Sequence, residues 1–172
     1  MLSPKIVKAI NHQINRELFS GYLYLGMSSA ATSLGLMGIA NWFFVQMQEE
    51  MIHARMMFDY VNRQGGRPLL ESIEEPPQKY ADPKAMFKKT LEHEREVTKL
   101  INNIVSLARV ENDHATEIFY QFFVTEQIEE EANPLDILRK LELVGDGNGL
   151  FLLDKELGMR VFTLPSQAQI QP

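Results

Sequence analysis

Four stretches of the chain place apolar residues at alternating four- and three-residue steps, the spacing that lines one face of a helix. The first reads Ile10, Ile14, Glu17, Gly21, Tyr24, Ser28 and Ala31, and the second Ile39, Phe43, Gln46, Glu50, His53, Met57 and Tyr60. The third is Phe87, Thr90, Glu94, Val97, Ile101, Ile104 and Ala108. The fourth is Thr116, Tyr120, Phe123, Gln127, Glu130, Pro134, Ile137, Leu141 and Val144. Ser3-Pro4 and Asp82-Pro83 read as helix starts, a capping side chain followed by proline at the first helical position. The first helix is expected to end near Ser33-Leu34-Gly35, and the second to run from about Gly38 to Gln64, stopped by Gly65-Gly66. Glu111-Asn112-Asp113 makes a tight link, so helices three and four are expected to be antiparallel neighbours. Pro134 is expected to kink the fourth helix, because its ring displaces the bond to residue 130.

Residues 67–82 hold Pro68, Pro76, Pro77 and Asp82 before Pro83, and show no periodicity. Extended at roughly 3.3 Å per residue, such a segment spans about 50 Å. A helix of 27 residues is about 40 Å long, so the segment is long enough to cross a bundle end to end. The pattern therefore predicts an all-α fold: a four-helix bundle over about 4–144, with a long crossover between helices two and three. A glycine-rich break at 145–149 separates it from a short fifth helix over about 149–160. That helix is too short to be stable alone and is expected to bury itself against other subunits. The residues from Pro165 to Pro172 are expected to form a flexible tail, and the whole of 1–172 is read as one domain.

The seams are apolar except where they carry Glu17, Glu50 with His53, Glu94, and Gln127 with Glu130. Glu50 and His53 are three apart and project from nearly the same side of their helix. With helices one and four pointing one way and two and three the other, all six positions fall about 18–25 Å from one end of the bundle. No seam supplies a Lys or Arg. Carboxylates facing each other across a dry core would repel and take up protons, and divalent metal removes that conflict. Four carboxylates balance two dications, with Glu50 placed to bridge them, and an oxygen-rich set with one imidazole suits iron or manganese. Glu49, Glu126 and Glu129 lie one residue off core positions; they are either solvated surface acids or, with Glu130, a third and weaker cation site. Tyr24 is a core tyrosine with a carboxylate partner or an electron donor to the metals. Met51 is expected at a helix or subunit contact, and His12, His93 and His114 at the surface.

Bulk properties narrow the function further. The chain has 172 residues and a formal charge of −6, with no cysteine. The first number allows one real core, the second fits a cationic ligand and argues against nucleic acid, and the third excludes thiolate and iron–sulfur chemistry. There is no apolar run of about 18 residues for a membrane span, and no signal-peptide pattern at the start. A cytoplasmic protein is expected.

The segments Asn15-Arg16-Glu17, Glu49-Glu50-Met51-Ile52-His53, Glu92-His93-Glu94, Glu126-Gln127-Ile128-Glu129-Glu130 and Leu153-Asp154-Lys155-Glu156-Leu157 together resemble the non-haem ferritins of bacteria and archaea. Paired Glu and Glu-x-x-His ligation is a general pattern of ferritin-like bundles. Here the fourth helix offers Gln127-x-x-Glu130 in place of a second Glu-x-x-His, which is similar to ferritins and unlike bacterioferritins. The resemblance implies a ferroxidase site: Glu17, Glu50 and His53 on one iron; Glu50, Glu94 and Glu130 on the other, with Gln127 nearby; and Glu49, Glu126, Glu129 and Glu130 as a third site. It implies oxidation of Fe(II) by dioxygen or peroxide and storage of Fe(III) mineral in a homo-oligomeric shell of twenty-four subunits, without haem. The rival readings are a haem-binding bacterioferritin using Met51, a diiron oxygenase with a cavity beside Glu50, and a DNA-protecting miniferritin.

Overall fold

The computed structural model describes residues 1–145 and 147–165, and the tail expected at 166–172 lies outside them. Five helices follow one another: α1 (Pro4–Ser33), α2 (Met37–Arg63), α3 (Pro83–Val110), α4 (His114–Val144) and α5 (Asn148–Leu157). Ser3 Oγ accepts from Ile6 N at 3.2 Å, and Asp82 Oδ1 from Ala85 N at 2.6 Å, each ahead of a proline at the first turn. Asp113 caps α4 by accepting from Thr116 N and Thr116 Oγ1. Among the described residues no helix is long and apolar enough to cross a membrane.

Contacts fix the directions. Tyr60 meets Thr116 and Gln46 meets Glu130 across α2 and α4, so those two are antiparallel. Met27 meets Thr90 and Ser20 meets His93 across α1 and α3, while Lys84–Glu142 and Arg109–Glu117 tie opposite ends of α3 and α4 together. Helices α2 and α3 therefore run parallel, which a short turn cannot achieve. The segment between them climbs along α1: Asn11 donates to Arg67 O, Asn15 to Ser72 O, and Arg16 to Glu74. This is the expected crossover. Helix α4 runs on through Pro134.

The core divides into two apolar clusters. One, toward the crossover's far end, gathers Leu23, Met27, Ile39, Trp42, Phe43, Met86, Phe87 and Ile137, with Leu153 and Leu157 of α5. The other gathers Ile6, Ile10, Met57, Val61, Ile101, Ile104, Phe119 and Phe123. Between them the four helices present their polar seam residues.

Within the subunit one face of the fifth helix already closes the first cluster: Leu153 and Leu157 are buried, and Phe151 and Leu152 lie on its exposed face. Helix α2 has no capping side chain of its own at Leu36. Asp154 supplies one from α5, accepting from Gly38 N at 3.0 Å and from Ile39 N at 2.8 Å. A carboxylate there satisfies orphan N–H groups and opposes the helix dipole. The approach is close enough that a Cβ on Gly38 would sit 1.6 Å from Asp154 O, so only glycine fits. We expect Asp154→Ala to cost about 1–2 kcal/mol and Gly38→Ala to dislodge α5. Hydrogen exchange at 148–157 is the measurement: protection should fall in both variants, and unchanged protection would disprove the docking role.

Candidate metal centre

Each polar seam residue is carried by a long helix packed on both sides of the layer, so its height is set by helical rise and its direction by the buried face. Glu17 comes from α1, Glu50 and His53 from α2, Glu94 from α3, and Gln127 and Glu130 from α4, and all six are buried. Ligand atoms of Glu17, Glu50 and His53 lie within 4.8 Å of one another, as do those of Glu50, Glu94 and Glu130. Glu50 belongs to both trios. Its Oε2 is 3.5 Å from His53 Nδ1.

A set of amide and hydroxyl donors holds the carboxylates. Gln13 Nε2 donates to Glu17 Oε1 at 2.7 Å. Gln46 Nε2 donates to Glu130 Oε2 and, at 3.5 Å, to Glu50 Oε1. Gln127 Nε2 donates to Glu94 Oε2 at 3.1 Å and to Thr98 Oγ1 at 3.2 Å, and the Tyr24 hydroxyl donates to Glu94 Oε1. Donors of this kind orient each carboxylate while leaving lone pairs for a cation. Glu17 Oε2 is buried without a hydrogen-bond partner among the described residues. That is an oxygen a cation would satisfy.

Electrostatics make the same point. Burial pushes the carboxyls of Glu17 and Glu50 well above the usual range, with Glu50 adding repulsion on Glu17 and Glu94 and Glu130 adding it on Glu50. Burial raises Glu94 to about 7 and Glu130 to about 8. Without a cation the centre holds protons in place of metal.

The other residues singled out by the sequence pattern fall differently. Glu49 and Glu126 are half-buried beside His53, facing a cavity of about 180 Å³, and neither belongs to the trios. Glu129 is exposed. Burial raises the carboxyls of Glu49 and Glu126. Tyr24, Phe43, Tyr120 and Phe123 are buried and fill the seam. Met51 is exposed against Gly21, with its sulfur 3.3 Å from where a Cβ on that glycine would stand. His12 and His114 are exposed as expected, but His93 is not. It is buried between α1 and α3, with Nε2 2.7 Å from Ser20 Oγ and its ring edge against Phe19 and Tyr24. Burial, helped by Arg16 and Lys89, lowers it to about 4, so it is neutral. The seam pattern gives Gln13 and Gln46 no role, although each sits four residues before a glutamate on the same helical face. Arg160, which pairs with Glu49, left no periodic signal.

Residues 7–144 match the family model of the ferritin-like domain. The chain belongs to the ferritin family. A bacterial non-heme ferritin of Bacteroides fragilis is 42% identical over 160 residues, covering 93% of this chain and 100% of that one. One from Campylobacter jejuni is 38% identical over 156 residues, covering 90% of this chain and 93% of that one. The open-pore ferritin of the archaeon Archaeoglobus fulgidus superimposes with a TM-score of 0.92 at 49% identity, covering 94% of this chain and 100% of that one. As a ferritin the protein stores iron, in a family that is non-haem among these relatives and in which ferroxidase activity is general. The haem, oxygenase and miniferritin readings give way to that assignment.

Proposed function

We propose that the two trios are the two halves of one ferroxidase centre. Glu17, Glu50 and His53 take one Fe(II), Glu50, Glu94 and Glu130 take the other, and Glu50 bridges. What supports this most is that the two groups share Glu50 and together present four buried carboxylates with no Lys or Arg in either trio, the charge that two dications neutralise. The iron is substrate: each Fe(II) gives up an electron to dioxygen or peroxide and leaves as Fe(III) for storage as mineral. The pocket's contribution is ligation, exclusion of water and donors that keep each carboxylate aimed. Gln127 acts through Glu94, holding it by hydrogen bond, and its neutrality in a position where a histidine would bind tighter lets Fe(III) move on. Tyr24, bonded to Glu94, is placed to donate an electron to an oxidised pair. Glu49, Glu126 and Glu129 with Glu130 form a weaker third position on the His53 side. The working assembly is a shell of 24 copies of a single-domain chain in the cytoplasm.

The test is anaerobic titration with Fe(II), followed by oxidation. We expect a break at two Fe(II) per subunit, matching the two trios, and an anomalous map from an iron-soaked crystal with peaks on either side of Glu50. A single peak, or peaks away from Glu50, would refute the pairing.

A further inference from the structure

Arg160 follows α5 by three residues, yet its guanidinium reaches the middle of α2. One of its amino groups donates to Gln46 Oε1 at 2.7 Å, the other pairs with the Glu49 carboxylate, and the ion lies 4.6 Å over the Trp42 ring. Gln46 is fully buried, and its own amide N–H groups face Glu130 and Glu50. With a cationic donor on its oxygen, that amide cannot flip without turning N–H groups toward the guanidinium. Arg160 is thus one contact from the bridging carboxylate. Its base is firm, because Asp154 anchors α5 to α2 and Asn41 holds Arg160 O at 2.9 Å.

The acid that Arg160 neutralises opens on the cavity shared by Glu49, His53 and Glu126, whose outer wall is Thr163, Leu164 and Pro165 of the same segment. His53 borders both this cavity and the inner trio. A cation moving between the pair and the Glu49–Glu126 acids therefore passes His53 and meets Arg160.

We propose that Arg160 is a positioning residue and a tethered competitor for iron: it occupies Glu49 until a metal cation takes that carboxylate, and it aims Gln46 at Glu50 and Glu130. This rests on the trios being the iron positions. The competition follows from charge. The guanidinium offers Glu49 one positive charge through a single amino group, its other amino group being on Gln46, and an iron ion offers two or three charges at shorter range. Arrival of iron at Glu49 and Glu126 releases Arg160, and its departure lets Arg160 return, so the third position discharges its iron instead of retaining it.

Terbium(III) titration of the full-length, metal-free protein tests this, since Trp42, the chain's single tryptophan, can sensitise terbium bound to the oxygen ligands beside it. Arg160→Ala should bind terbium near Trp42 at least about tenfold tighter than wild type, and Glu49→Gln added to it should abolish the gain. Arg160→Lys, which keeps the charge, should restore weak binding at least in part. Equal affinity in wild type and Arg160→Ala, a gain that survives Glu49→Gln, or a lysine variant as tight as the alanine one would each overturn the proposal. The ferroxidase reading fails separately: it falls if Glu50→Ala oxidises Fe(II) normally, whatever terbium does at Glu49.

Discussion

Glu50→Ala should slow aerobic Fe(II) oxidation by more than about 100-fold. Losing a residue that merely orients a metal ligand costs roughly 10–100-fold, and Glu50 is the one side chain common to both trios. Its removal leaves the first position with Glu17 and His53, and the second with Glu94 and Glu130, and removes the link between them. His53→Ala should slow the reaction less, because it takes a ligand from one trio alone. Gln46→Ala and Gln13→Ala should fall in the lower, orienting range, since their amides touch the carboxylates and not the metal. Glu96→Ala, exposed on α3 and outside every proposed iron position, is the control and should leave the first turnover unaltered. Stopped-flow absorbance after mixing with Fe(II) in air reads all of these. A defect from unfolding is separable, because taking a carboxylate out of a crowded buried set relieves repulsion: Glu50→Ala should melt no lower than wild type above neutral pH. Wild-type rates in Glu50→Ala would end the assignment.

The layer that these variants probe was legible because helices are rigid rulers. A rise of 1.5 Å per residue carries Glu17, Glu50, Glu94 and Glu130 to one height from any reasonable choice of helix ends, and errors of a residue or two at the boundaries barely move them. The two proline starts and the proline-rich crossover were legible for a similar reason, since each is local chemistry with a steric cause. His93 is buried against the seam pattern, because a single four-three seam underestimates what a helix buries. In a bundle each helix touches two neighbours, and the position beside Glu94 on α3 turns toward Ser20 and Phe19 of α1. Arg160 and Asp154 were not legible at all. Their contacts span 111–119 residues of chain, and they arise from a ten-residue helix and the turn after it, too short for periodicity to say which face meets what.

The donor arrangement also shows how a centre so dense in carboxylates is oriented without cancelling the charge that a cation needs. Three glutamines, Gln13, Gln46 and Gln127, each give an amide N–H to a glutamate, and Tyr24 gives a hydroxyl. A lysine or arginine in their place would neutralise the acids and occupy the cation's position. An amide satisfies an oxygen without cancelling its charge. The one guanidinium near the centre, Arg160, bonds the far side of Gln46 and the outlying Glu49, and so leaves the trios' charge for the metal.

That uncancelled charge sets a second large effect, on the stability of the metal-free protein. Glu94 and Glu130 have native-state pKa values raised by burial to about 7 and about 8, from an ordinary value of 4.5. Between about pH 4.5 and 8 the folded chain therefore holds protons that the unfolded chain has released, and stability falls as pH rises across that window. It is fully present below the unfolded value and lost as pH passes 7 and 8, and Glu17 and Glu50, raised by the same burial, add to the fall. A loss of about 3 kcal/mol or more corresponds to a melting point about 10 °C lower at pH 8.5 than at pH 5.5. Metal reverses the trend, because cations require deprotonated ligands and bind better as protons leave. Manganese(II) or anaerobic Fe(II) should raise the melting point more at pH 8.5 than at pH 5.5. The double variant Glu94→Gln with Glu130→Gln should make the metal-free profile shallower, leaving the part that Glu17 and Glu50 contribute. Calorimetry on the same assembled species at each pH decides it. A metal-free melting point that holds steady or climbs from pH 5.5 to 8.5 would mean that these carboxylates are comfortable as anions, and the case for a dication-dependent centre would be lost.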